Sequence, residues 1–148
     1  MAKRSQKISK VVAIAKAKER RQGELTGQSR AELNNQKDRL SELNAFRQNY
    51  TTAAKGTRNI NSVHLKDYQN FLQRLDSAVR AQQHLVKDNE QVVESHRQRW
   101  MRERQRLESL QNVLERCESD EKQQADRDEQ RKLDELRVTP ETYDGADE

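Results

Sequence analysis

The chain has 148 residues, of which 31% are apolar, 4% aromatic and 36% charged, with one proline and a formal net charge of +4. That composition is too polar to wrap a globular core, and its apolar residues are spaced too regularly for a disordered chain, so an extended all-α unit is expected. Ile8 to Ala17 is broken by Lys10 and Lys16, and no apolar run approaches the roughly 18 residues needed to span a bilayer, which predicts no leader and a soluble protein.

The first predicted element is a helix over about residues 5–55. Its inward register runs Ile8, Val12, Ala15, Glu19, Gln22, Thr26, Ser29, Leu33, Gln36, Leu40, Leu43, Arg47, Tyr50 and Ala54, apolar at both ends and polar in the middle. Gly23 and Gly27 lie in that middle, and each lowers helix stability by about 1 kcal/mol relative to Ala. Fraying or a bend is expected there.

Residues 56–62 read as a turn. Gly56 supplies a helix stop, and Asn59, Asn61 and Ser62 are candidate N-caps for a second helix.

That second helix, about 63–137, carries the clearest pattern in the chain. Leu65, Tyr68, Leu72, Leu75, Val79, Gln82, Val86, Asn89, Val93, His96, Trp100, Glu103, Leu107, Leu110, Leu114 and Cys117 keep an unbroken 3-4 spacing. This is a coiled-coil seam, and its polar members, Gln82, Asn89, His96 and Glu103, recur every seventh residue. At about 1.5 Å per residue the two helices would measure roughly 75 and 110 Å, so the second overhangs the first.

Folding back near residue 59 pairs residues whose numbers sum to about 118, as an antiparallel seam requires. Tyr68 then meets Tyr50, Leu75 meets Leu43, Val79 lies near Leu40 and Val86 near Leu33. Polar layers also coincide: Gln82 with Gln36, Asn89 with Ser29, His96 with Gln22. Leu107 falls near Val12 and Leu110 at Ile8, and the pairing ends with Cys117 opposite Met1. The expected fold is therefore a long two-helix antiparallel coiled-coil hairpin forming one unit over residues 1–137. Residues 138–148, around Pro140, read as a disordered acidic tail. A parallel homodimeric spacer is the competing architecture.

Charge is unevenly placed. Residues 1–22 carry eight Lys/Arg and one acid, residues 97–116 six Arg and three acids, and residues 117–148 five bases and twelve acids. The fold-back would bring Lys16, Lys18, Arg20 and Arg21 level with Arg97, Arg99, Arg102, Arg104 and Arg106, a collar suited to an acidic partner. Near the turn, Phe46, Tyr50, Ile60, Tyr68, Phe71 and Leu75 exceed what one seam can hide, which marks a local cluster or a docking patch.

No constellation for catalysis is present: no glycine-rich phosphate loop, no nucleophile–histidine–acid set and no paired carboxylates. His64, His84 and His96 lack ligand spacing, and the lone Cys117 gives neither a metal cluster nor a disulfide framework, so no enzyme, metal or cofactor is expected and a reducing cytoplasm is. Nucleic acid is disfavoured, because the basic residues alternate with seam residues and the tail is acidic. The lysines around Val11 and Ile14 allow a membrane-surface role, but Ile8, Val12 and Ala15 are needed to cover the second helix.

Three ordered segments resemble the flagellar export protein family FliJ: Asp67-Tyr68-Gln69-Asn70-Phe71-Leu72-Gln73-Arg74-Leu75 with Ala78, Val79 and Gln82; Arg99 to Leu107 around Trp100; and Asp128 to Glu135. The resemblance implies a cytoplasmic coiled-coil stalk of the bacterial type III flagellar export apparatus, held at the cytoplasmic face of the inner membrane at the flagellar base. It implies an open end within the export ATPase hexamer FliI, promoting ring assembly, and a tip at the export gate FlhA. The ATPase regulator FliH and export chaperones are further implied partners. Carried onto this chain, the gate contacts are Phe46, Tyr50, Phe71, Leu75 and Ala78. The ATPase contacts are the basic collar, assigned from its charge geometry. The related stalk proteins of virulence injectisomes are the alternative.

Overall fold

A computed structural model describes residues 3–56 and 62–138. Two helices make up these residues, α1 (Arg4–Lys55) and α2 (Ser62–Val138), and they pack against each other as an all-α hairpin. The candidate caps Asn59 and Asn61, Ile60 of the expected tip cluster, Met1 and the expected tail from residue 139 lie outside the described residues.

Packing divides the chain into two compact units. One comprises Met1–Ala17 with Arg104–Glu148 and the other Lys18–Glu103. In the second unit the buried apolar residues are Leu33, Leu75, Val79 and Val86, joined by Thr26 and Gln36, and in the first they are Ala15 and Cys117. All of these occupy the 3-4 registers read from the sequence, because such a register repeats on one side of a helix and only that side is withdrawn from water.

Three positions differ from the expected seam. Leu65 is 44% exposed, and Arg47 is exposed and pairs with Asp76 from just outside the α2 register. The seam also reaches one layer past Cys117, since Ser5 is hydrogen-bonded to Glu121. Their numbers sum to 126, against 118 for Gln36 with Gln82 and for Gln22 with His96.

The expected fraying at Gly23 and Gly27 does not occur, and α1 is continuous through both. Two local features account for this. A Cβ at Gly23 would lie 3.1 Å from Trp100 Nε1, so the missing side chain is the slot the indole occupies. The Thr26 side chain between the glycines is almost fully buried at 1% exposure, its hydroxyl donating to the Gln22 carbonyl at 2.8 Å. The packing of Trp100 and Thr26 offsets the propensity cost of the glycines.

Toward the turn, the hydroxyls of Thr51 and Thr52 donate to the carbonyls of Arg47 and Gln48, both at 2.8 Å, and the Gly56 N–H closes on the Ala53 carbonyl at 3.3 Å. The Gly56 bond occupies a carbonyl that the helix end would otherwise leave to water, while the threonine hydroxyls share carbonyls of the helical ladder.

Candidate functional site

Within the Lys18–Glu103 unit, the residues flanking the turn gather four aromatic rings. Tyr50 stacks on Tyr68 with centroids 5.0 Å apart, Phe71 lies 4.6 Å from Tyr50 and 6.3 Å from Phe46, and Phe46 and Tyr50 are 6.5 Å apart. Aromatic pairs at such spacings contribute about 0.5–1.5 kcal/mol beyond their burial. The cluster is thus self-supporting, yet Phe46 and Phe71 remain 52% and 40% exposed. An ordered aromatic pair open to solvent is a surface prepared for contact.

Of the residues expected at this end, Ala78 is exposed, Tyr50 is half-buried, and Leu75 is buried at 7%. Leu75 therefore belongs to the buried seam and not to the exposed patch. Sequence reasoning did not find the ion pair that braces it: Arg47 Nε lies 2.7 Å from Asp76 Oδ1, close enough for a strong ion pair though not aligned as a hydrogen bond. Arg47 at a seam position with Asp76 beside Leu75 was the available signal.

Two of the four polar layers, those of Gln82 and His96, form direct bonds, and among the described residues no bond joins Asn89 to Ser29. Gln82 Nε2 donates to Gln36 Oε1 at 2.8 Å and to the Gln36 carbonyl at 2.9 Å, and Gln36 Nε2 donates in turn to Glu32 Oε1 at 2.7 Å. Gln22 Nε2 lies 3.1 Å from His96 Nδ1 and 3.4 Å from the His96 carbonyl. Trp100 Nε1 donates to Glu19 Oε1 at 2.9 Å. Glu103 differs: its Oε2 is buried and has no hydrogen-bond partner.

The expected basic collar is distributed over both units. Lys18, Arg20, Arg21, Arg99 and Arg102 belong to Lys18–Glu103 and are all exposed, while Lys16, Arg104 and Arg106 are exposed in the other unit. Arg97 is half-buried and engaged by Glu94, with Nη2 2.9 Å from Oε1 and Nε 3.0 Å from Oε2. That hydrogen bonding holds the Glu94 carboxyl below its ordinary value and raises the Arg97 guanidinium. Arg97 thus carries a charge already paired with Glu94 on its own helix.

In the other unit, Glu121 Oε1 accepts from the Ser5 N–H at 3.0 Å and Oε2 accepts from the Ser5 hydroxyl at 2.6 Å. The first turn of α1 has no acidic residue of its own, so this carboxylate from α2 takes the orphan donor and faces the positive end of the helix. The Ser5 hydroxyl first, then the Ser5 N–H, with Lys3 adding its charge, hold the Glu121 carboxyl below its ordinary value.

Among the described residues no group of His, Cys, Asp or Glu could hold a metal ion, and no helix is long and apolar enough to cross a membrane. An exposed aromatic pair at one end, cationic surfaces and a seam with bonded polar layers define a helical-hairpin protein. The model of the flagellar FliJ proteins matches residues 4–139, and the chain belongs to the FliJ family. It is thereby a flagellar export-related protein, of a family whose members are non-catalytic structural components of export. No curated protein and no solved structure gives a significant match.

Proposed function

We propose that this chain is the coiled-coil stalk that couples the flagellar export ATPase ring, FliI, to the export gate, FlhA, at the cytoplasmic face of the inner membrane. In this reading the aromatic patch of Phe46, Tyr50 and Phe71, together with Leu75 of the buried seam and with Ala78 at its edge, takes the gate. The cations Lys16, Lys18, Arg20, Arg21, Arg99, Arg102, Arg104 and Arg106, with Arg97 as a minor member, take acidic surfaces of the ATPase ring. FliH and export chaperones reach the chain through the same assembly.

The observation that carries the reading is the exposure of Phe46 and Phe71 within a rigid ring cluster, in a chain of the FliJ family. Two rings left half in water while their partners are packed are the hot-spot geometry of a docking surface.

The test separates the two ends. Wild-type protein added to a homologous export ATPase should raise hydrolysis and hexamer formation, and R99E/R102E should lose that effect. F46A/F71A should keep it while losing binding to the cytoplasmic domain of the gate. If wild type changes neither hydrolysis nor assembly, the ATPase half of the proposal fails. Undiminished gate binding by F46A/F71A removes the other half.

A further inference from the structure

The first turns of α1 are apolar over a wider arc than α2 covers. Ile8, Val12 and Ala15 face the seam and are half-buried or buried, but Val11 and Ile14, one position earlier at each step, are 42% and 59% exposed. This second stripe continues to Lys7, which is also exposed. Residues at i, i+4 and i+7 share one face, so Lys7, Val11 and Ile14 form a strip with a cation at its N-terminal end. Along the N-terminal stretch the charge has one sign, since Lys3, Arg4, Lys7, Lys10, Lys16 and Lys18 occur before the first acid, Glu19, and on the α2 side Glu118 lines a pocket with Lys7 and Lys10.

The same unit carries a matching strip on α2. From Lys122 to Val138 every residue is exposed, and Glu129, Leu133 and Leu136 repeat the i, i+4, i+7 spacing with an anion where the other strip has a cation. Leu133 and Leu136 are 54% and 72% exposed, among the most open large apolar residues described. Residues 118–135 hold eight acids against four bases. One strip is thus basic and apolar and the other acidic and apolar, at identical spacing.

The geometry points to self-association of this chain through these strips: the C-terminal turns of α2 in one copy lie along the outer face of the first turns of α1 in a second copy, with Glu129 at Lys7, Leu133 at Val11 and Leu136 at Ile14. Each copy offers both strips, and the proposed dimer is the two-fold arrangement in which two copies make both contacts with each other, giving two equal interfaces. Two apolar pairs and one charge pair per interface make a small contact, which places the dimer in the weak, concentration-dependent class. The inference does not rest on the ATPase or gate assignments. Its consequence for them is that an unassembled chain keeps its basic N-terminal face from other acidic surfaces.

Sedimentation equilibrium of the full chain, followed up to about 1 mM, reads the association directly. A monomer–dimer equilibrium that weakens with added salt is expected. Lys7→Glu and Glu129→Lys should each weaken the dimer by about tenfold or more, as close interfacial charge pairs do, and the double exchange should restore it. Both side chains are exposed, so the helical circular dichroism should be unchanged and folding does not confound the result. Wild type that stays monomeric overturns the proposal. So does a dimer indifferent to either single exchange, or a double exchange that fails to restore association.

Discussion

Trp100 and the two glycines of α1 illustrate how one side chain can reverse the meaning of another. Gly23 is where the indole lies, and a Cβ there would meet Nε1 at 3.1 Å, whereas a Cβ at Gly27 would meet nothing within 4 Å. Gly27→Ala should therefore stabilise the protein by about 0.5–1 kcal/mol, the difference in helix propensity, in a urea titration followed by circular dichroism. Gly23→Leu should do the opposite by pushing the indole off Glu19 and into water. Trp100 is the only tryptophan, so its emission should shift to the red while helix content holds. An unshifted spectrum in Gly23→Leu would mean that the slot is not what seats the ring.

At the scale of the helix pair, most of the inward face was legible, because heptad spacing is a property of the sequence and needs no tertiary knowledge. Leu33, Leu75, Val79, Val86 and Cys117 were all on the registers, and so were the polar pairs Gln36–Gln82 and Gln22–His96. What could not be read was anything set by side-chain reach: the Trp100 slot at Gly23, the Arg47–Asp76 pair and the Ser5–Glu121 cap. Single positions in a register carry no information about which neighbour a long side chain will choose. The Gln36–Gln82 layer offers a cycle that measures such a choice. Gln82→Leu alone leaves the buried Gln36 oxygen without its donor and should cost about 1–3 kcal/mol, and adding Gln36→Leu should recover that loss, since two apolar partners leave nothing unpaired in the layer. A double variant no better than the single would show that the amides are not coupled.

The Ser5–Glu121 cap makes a prediction at the same scale that depends on pH. The Glu121 carboxyl titrates below its ordinary value of 4.5 in the folded chain because the ionised form accepts two hydrogen bonds from Ser5. A depressed folded value means the contribution is fully present above the ordinary value and disappears as the pH falls through the lowered one. Acidification below that range should release the first turn of α1, seen as loss of amide protection at its N-terminal residues while the α2 core amides stay protected. Glu121→Gln keeps an acceptor oxygen but no charge, and should show the weaker protection already at neutral pH. If the acid-induced loss is identical in Glu121→Gln, another carboxylate is responsible.

For the molecule as a whole, the open question is why a seam that could be apolar throughout has a polar side chain every seventh residue of α2. Gln82 and His96 meet polar partners on α1, and Trp100 next to them spends its N–H on Glu19, so this part of the seam is held by directional bonds that tolerate only one alignment. Glu103 lies at the other extreme, with a buried oxygen that nothing bonds. Polar seam positions of this kind fix register at a cost in stability, and the cost is largest where a buried polar atom is left unbonded. A fourfold-layer variant, in which Gln82, Asn89, His96 and Glu103 become Leu together with the partners Gln36 and Gln22 on α1, should therefore raise the melting temperature, and Glu103→Leu alone should supply the largest single increment, about 1–3 kcal/mol. If the layers serve register alone, the fourfold-layer variant should still support flagellar motility in cells lacking the wild-type gene. If they let the helices yield during export, motility should fall even though the protein is more stable. A fourfold-layer variant less stable than wild type would contradict the premise, because it would mean that the polar bonds contribute more than the apolar packing that replaces them.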